Sequence, residues 1–136
     1  MKVLADTPVW SAAFRRSEGQ ASALRAELEW LVAHGAVALM GPVRQELLSG
    51  IKERAQFEEV RAALRNFPDI ALQTEDFETA AEYYNLCRGK GVQGSLTDFL
   101  ICAGAARRGL EIFTTDVDFQ HYRKHLPIAL YAGAQA

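Results

Sequence analysis

KVLADTPVW, residues 2–10, changes character in its middle. Val3, Leu4 and Ala5 form a short apolar run of the kind that makes a strand buried on both faces. Asp6 ends the run. Thr7 can then cap a helix, and Pro8 can take its first position, where a missing N–H costs nothing. A buried strand passing directly into a helix, with an acid at the junction, is the repeating unit of an α/β domain with parallel strands.

The rest of the chain repeats that alternation. VALM (37–40), IAL (70–72), EIFTTD (111–116) and IALYA (128–132) are further short apolar runs, predicted as strands. Between them lie predicted helices. Residues 21–33 carry Leu24, Leu28 and Leu31 on one face and stop at Gly35. Pro42 opens a helix that Gly50 closes. Residues 54–66 are an amphipathic helix, 77–87 are helix ending near Arg88-Gly89, and a later helix is capped by Ser95 or Thr97 and ends at Gly109. Residues 118–125 read as a short helix or turn. The expected architecture is α/β, with a central, mostly parallel sheet covered by helices on both faces.

With 136 residues, 49% of them hydrophobic, the chain suits one domain spanning 1–136. A chain of this size buries roughly two thirds of its surface. Cys87 and Cys102 have neither CxxC nor Cys/His spacing, so neither a disulfide scaffold nor a zinc site is expected. There is no secretory segment and no apolar run near ~18 residues, so the expectation is a cytoplasmic protein without a membrane partner.

In open parallel sheets, functional groups gather beyond the carboxyl ends of the strands. Asp6 and Asp116 both follow strands. Asp98 lies in the first turn of its helix, Glu46 sits in the helix opened by Pro42, and Asp118 is two residues beyond Asp116. Two carboxylates ~4 Å apart repel by about 4 kcal/mol at an effective dielectric near 20. A converged group of them therefore needs protons or cations. All-oxygen ligands select hard ions, Mg²⁺ or Mn²⁺, whose chemistry suits phosphodiester hydrolysis. The formal charge of −2 argues mildly against a nucleic-acid partner, but setting these five acids aside takes it to +3.

Four fragments together, ADTPVW, PVRQELLSG, SLTDFLICAGA and IFTTDVDF, resemble the PIN domain in their order and spacing. Within that family the resemblance is to the VapC-like toxins of toxin–antitoxin pairs. It implies a PIN-like three-layer sandwich and Mg²⁺- or Mn²⁺-dependent endoribonuclease activity that leaves a 5′ phosphate and a 3′ hydroxyl. It also implies an antitoxin partner and a homodimer. Carried over by position, the resemblance makes Asp6, Glu46, Asp98 and Asp116 the catalytic, metal-holding acids. Asp118 adjoins them, and Thr114 and Thr7 are supporting hydroxyl residues. Pro8 departs from the pattern, standing where family members often have a small hydroxyl residue.

Plainer readings exist for each residue. Asp6 could be a helix N-cap or a turn acid, Asp98 could only complement a helix dipole, Glu46 could be a solvated helix acid, and Asp116 and Asp118 could be turn formers. Trp10 and Phe14 read as core, with an apolar patch that receives a partner helix as the alternative, and Cys102 reads as a small core residue. Arg15, Arg16, Arg44, Lys52 and Arg54 could follow RNA phosphates or be ordinary surface charges. Arg107 and Arg108 suit the last turn of a helix. His34, His121 and His125 lack metal spacing. A haloalkanoate-dehalogenase-type phosphatase needs a second aspartate where Pro8 stands. A receiver domain needs a phosphoacceptor after a central strand, but Gln73 follows IAL. The stronger rival is a PIN-like module that binds RNA or protein without cutting, and a DNA-directed nuclease would use the same acids.

Overall fold

The computed structural model describes residues 2–14 and 19–133. Four strands, β1 (Val3–Ala5), β2 (Val37–Ala38), β3 (Glu111–Phe113) and β4 (Ala129–Leu130), form one sheet in the order β2-β1-β3-β4. All three pairings are parallel. The helices are α1 (Thr7–Ala13), α2 (Gln20–Ala33), α3 (Gly41–Ser49), α4 (Arg54–Leu64), α5 (Thr74–Gly89), α6 (Leu96–Arg108) and α7 (Asp118–Tyr122). The expected α/β class is what the chain adopts.

The central strands are enclosed: Val3, Leu4, Ala5 and Ile112 are buried, with no polar face to extend along a solvated surface. At the two sheet edges, β2 is half-buried and β4 partly exposed. Helix α6 explains its own position. Phe99 to Ala105 are all buried, so this helix is apolar around its circumference and needs cover on both sides. Strand β3 covers one side and α5 the other. Ser95 caps α6 by accepting from the Asp98 N–H, and Gly109, at φ +67°, ends it in the left-handed conformation.

Two sequence expectations are corrected. Residues 70–72 do not form a strand. Only Asp69 bridges to Leu39, and the Ile70 N–H donates to the Leu39 carbonyl at 2.9 Å. Pro68 has no N–H to give a ladder, and α5 begins at Thr74, leaving no room for more pairing. That helix starts three residues before the expected Phe77. Second, the cap of α1 is Asp6, whose Oδ1 accepts from the Thr7 N–H at 2.8 Å. The carboxylate is the better acceptor at a helix N-terminus, so Thr7 becomes the first helical residue.

Candidate active site

The strand order places β2 on one side of β1 and β3 on the other, so the chain reverses direction across the sheet between β1 and β3. Ligand crevices form at such a switch point, beyond the carboxyl ends of the strands. Ala5 pairs with Phe113, and the Asp6 N–H continues the ladder to the Phe113 carbonyl at 2.9 Å. Asp6 and Thr114 thus emerge side by side, although 108 residues separate them. The Thr114 hydroxyl donates to Asp6 Oδ2 at 2.9 Å and accepts from the Asp116 N–H at 3.0 Å. Asp116 Oδ1 in turn accepts from the Asp118 N–H at 2.9 Å, which fixes the start of α7.

Asp98 reaches the same place from α6. Its Oδ2 accepts from the Tyr122 hydroxyl at 2.7 Å. One carboxylate oxygen from each of Asp98, Asp116 and Asp118 lies within 4.8 Å of the others. Asp6 lies outside that group, and so does Glu46, which is exposed on α3. The Glu46 charge is felt at the Asp6 carboxyl.

Asp6 is 5% exposed, and burial pushes its pKa up to about 6. The hydrogen bonds from Thr114 and Thr7 pull it back, while the charges of Asp98 and Glu46 raise it. Asp98 is also raised, first by burial, against the opposing hydrogen bonds from Tyr122 and Ser95. Among the described residues, no lysine or arginine pairs with any of these acids. Neutralisation is left to protons or to a cation from solution. The donor set is entirely carboxylate, which fits a hard divalent ion and does not fit zinc.

A family model described as PIN domain matches residues 3–125. The chain belongs to the PIN-domain family. Ribonuclease VapC11 of Mycobacterium tuberculosis is 31% identical over 121 residues, which cover 86% of this chain and 88% of that protein. The crystal structure of VapBC2 from Rickettsia felis, bound to a DNA fragment from its promoter, superposes with a TM-score of 0.78 at 18% identity. It covers 96% of this chain and 98% of the other. FitAcB from Neisseria gonorrhoeae gives a TM-score of 0.75 at 18% identity, over 95% and 96% of the two chains. At that identity the two structures share the fold.

In this PIN domain, sequence reasoning missed Tyr122, which is buried and holds Asp98 from 24 residues away. It also missed Gly94. A Cβ there would lie 2.2 Å from the Tyr122 hydroxyl oxygen and 2.9 Å from Phe99 Cε2, so only glycine lets that hydroxyl reach Asp98. Several basic residues also have structural partners. Arg44 pairs with Asp69 at 2.9 Å and donates to the Leu64 and Phe67 carbonyls, which hold the segment before α5. Arg54 pairs with Glu58 and lies over the Phe57 ring. Lys52 is exposed, and Arg15 and Arg16 lie outside the described residues. Trp10 is core, its indole N–H donating to the Ala5 carbonyl at 3.1 Å. Cys102 is fully buried beneath the acids and its thiol is pushed well up, so it is no nucleophile.

Proposed function

We propose that this PIN domain is an endoribonuclease that works with Mg²⁺ or Mn²⁺, and that it is the toxin of a toxin–antitoxin pair. The observation that carries the reading is the convergence of Asp98, Asp116 and Asp118 within 4.8 Å, beside a buried Asp6, with no lysine or arginine among the described residues paired to them. Relatives named as ribonucleases, and toxin–antitoxin complexes among the structures of like fold, support it.

Asp98, Asp116 and Asp118 would hold the ion, with Asp6 beside them and Glu46 at the facing edge. An ion in such a site lowers the pKa of water and offsets charge on a phosphoryl group. The chain's own part is to fix the acids and keep them ionised. Thr114 joins Asp6 to the Asp116 backbone, so the ends of β1 and β3 act as one rigid edge. Tyr122 donates to Asp98, which favours its charged form and fixes its rotamer. Cys102 and the rest of α6 exclude water from below.

The proposed partners are an RNA substrate, a cognate antitoxin and a second copy of the chain. An exposed apolar groove supports the protein contacts: Phe77 is 54% and Leu96 76% exposed beside Pro42 and Leu100. No helix among the described residues is long and apolar enough to cross a membrane.

The test is cleavage of a mixed pool of tRNA, rRNA and single-stranded RNA with Mg²⁺ or Mn²⁺. Wild type is compared with Asp6→Ala and Asp98→Asn, all shown to be folded. Cleavage by wild type that is lost with EDTA and in both variants is expected. Equal cleavage by all three proteins would sink the assignment.

A further inference from the structure

Beside the acids, α1, α3 and α4 enclose a cleft of about 150 Å³ lined by Thr7, Ser11, Phe14, Glu46, Ile51 and Gln56. Glu46 lines the cleft and Thr7, which also lines it, follows Asp6 directly, so the cleft adjoins the acid group. Its volume is below the ~300 Å³ at which sites for whole small molecules begin, which suits one residue of a longer ligand. The lining divides by chemistry. Phe14 and Ile51 offer apolar surface to the face of a ring. The Ser11 hydroxyl and the Gln56 amide can each donate and accept along its edge. The Thr7 hydroxyl is buried and has no hydrogen-bond partner among the described residues.

We propose that this cleft seats the nucleobase of the RNA residue adjoining the cut, and that Ser11 and Gln56 read its edge. The inference rests on the nuclease reading above. Sequence-specific recognition of RNA relies on splayed, unpaired bases stacked against apolar side chains and hydrogen-bonded along their edges. A backbone laid across the acids would bring such a base to the mouth of this cleft. Gln56 is exposed on α4 and Ser11 lies on the second turn of α1, so both can be changed without disturbing the core.

The test has two arms. In the first, cut sites in a randomised single-stranded RNA pool are sequenced for wild type, Ser11→Ala and Gln56→Leu. Wild type should prefer one base at one position next to the cut. Each variant should lower that preference by about fivefold, the worth of one neutral hydrogen bond, while still cutting. In the second, Asp98→Asn alone and combined with Gln56→Leu are titrated with four short single-stranded RNAs that differ at that base, or at each position in turn if wild type does not cut. Discrimination among the four by Asp98→Asn that Gln56→Leu removes, with binding retained, supports the cleft even if wild type cuts nothing. In that case it is the nuclease reading that fails. Unchanged preference in both variants, or an equal loss of binding to all four RNAs, would overturn the proposal.

Discussion

Asp6 and Asp76 are both buried aspartates, and the chain treats them in opposite ways. Asp76, fully enclosed near the N-terminus of α5, accepts from Arg108 Nη1 at 2.7 Å and Nη2 at 2.8 Å, from Arg107, and from the Gln73 N–H at 2.8 Å. These bonds, Arg108 first, hold its carboxyl far below the usual carboxylate range despite the burial. Asp6 has two hydrogen bonds, no paired cation among the described residues and two like charges for neighbours, and its carboxyl rises to about 6. The two regions sit at opposite ends of α6, whose first turn carries Asp98 and whose last turn carries Arg107 and Arg108. Burial alone therefore does not mark a functional acid. What separates the two is whether the fold supplies the counter-charge. A fold that pairs one buried aspartate fully and leaves the other to repel its neighbours has made one a structural tie and the other a site for something from outside.

The largest expected effect tests the structural tie. Asp76→Ala leaves two arginines without their shared partner, and breaking a buried pair in this way costs 3–5 kcal/mol. Both arginines keep some contact with water, with side chains 29% and 23% exposed, so we expect about 3 kcal/mol, read from urea unfolding at pH 7. Because the Asp76 carboxyl is depressed in the fold, its contribution is present above the ordinary aspartate value and lost as pH falls through the folded one. The gap between wild type and variant should therefore narrow below pH 4. Cleavage per folded molecule should not change. A loss of cleavage without a loss of stability would break the division of roles.

Asp6→Asn should do the reverse. A carboxyl raised in the folded state stabilises the fold below its unfolded pKa, and that contribution is lost as pH rises through about 6. Between 3.8 and about 6 the shift amounts to about 3 kcal/mol, an upper bound that structural relaxation would reduce. In EDTA, the variant should be more stable than wild type at pH 8 and equal to it near pH 4. Mg²⁺ should raise the melting temperature of wild type more than that of the variant, and the variant should not cut RNA. Identical melting curves at both pH values would show that the charge of Asp6 is compensated after all.

How much of this was legible in sequence follows from range. The strand-to-helix junction at Asp6, the Ser95 cap and the Gly109 stop are local signals, and each lies where the residue types place it, apart from the shift of the α1 cap from Thr7 to Asp6. The convergence of Asp98, Asp116 and Asp118 was foreseeable as a possibility, because strand ends and helix starts meet in parallel sheets. Its tightness was not, nor that Asp6 and Glu46 would both lie outside it. Arg107 and Arg108 read as ordinary last-turn cations because their partner is 31 and 32 residues away. Residues 70–72 have strand composition but lack the length to pair. Tyr122 was invisible as a site residue because nothing in DFQHYRKH distinguishes an aromatic that packs from one that also donates a hydrogen bond.

Gly94→Ala tests that last contact from the side of packing. The added methyl would collide with the Tyr122 hydroxyl and with Phe99, which is buried and cannot move freely. Overpacking of this kind costs about 1–3 kcal/mol. If Tyr122 yields rather than the backbone, its hydroxyl leaves Asp98, and cleavage should fall together with stability.

Tyr122→Phe separates those two consequences and is the smallest change. The ring stays in its place between Phe99 and Phe119, so stability should fall by only about 1 kcal/mol, the net worth of one hydrogen bond. Asp98 would lose a donor that favours its ionised form, so its already raised carboxyl should rise further. Activity should then drop by about tenfold near pH 6, as expected on losing a group that orients a metal-holding acid, and recover as pH increases. A rate reduced equally at every pH would mean that Tyr122 orients Asp98 without tuning its charge. An unchanged rate would mean that Asp98 needs no help, and that the contrast with Asp76 lies in the missing cations alone.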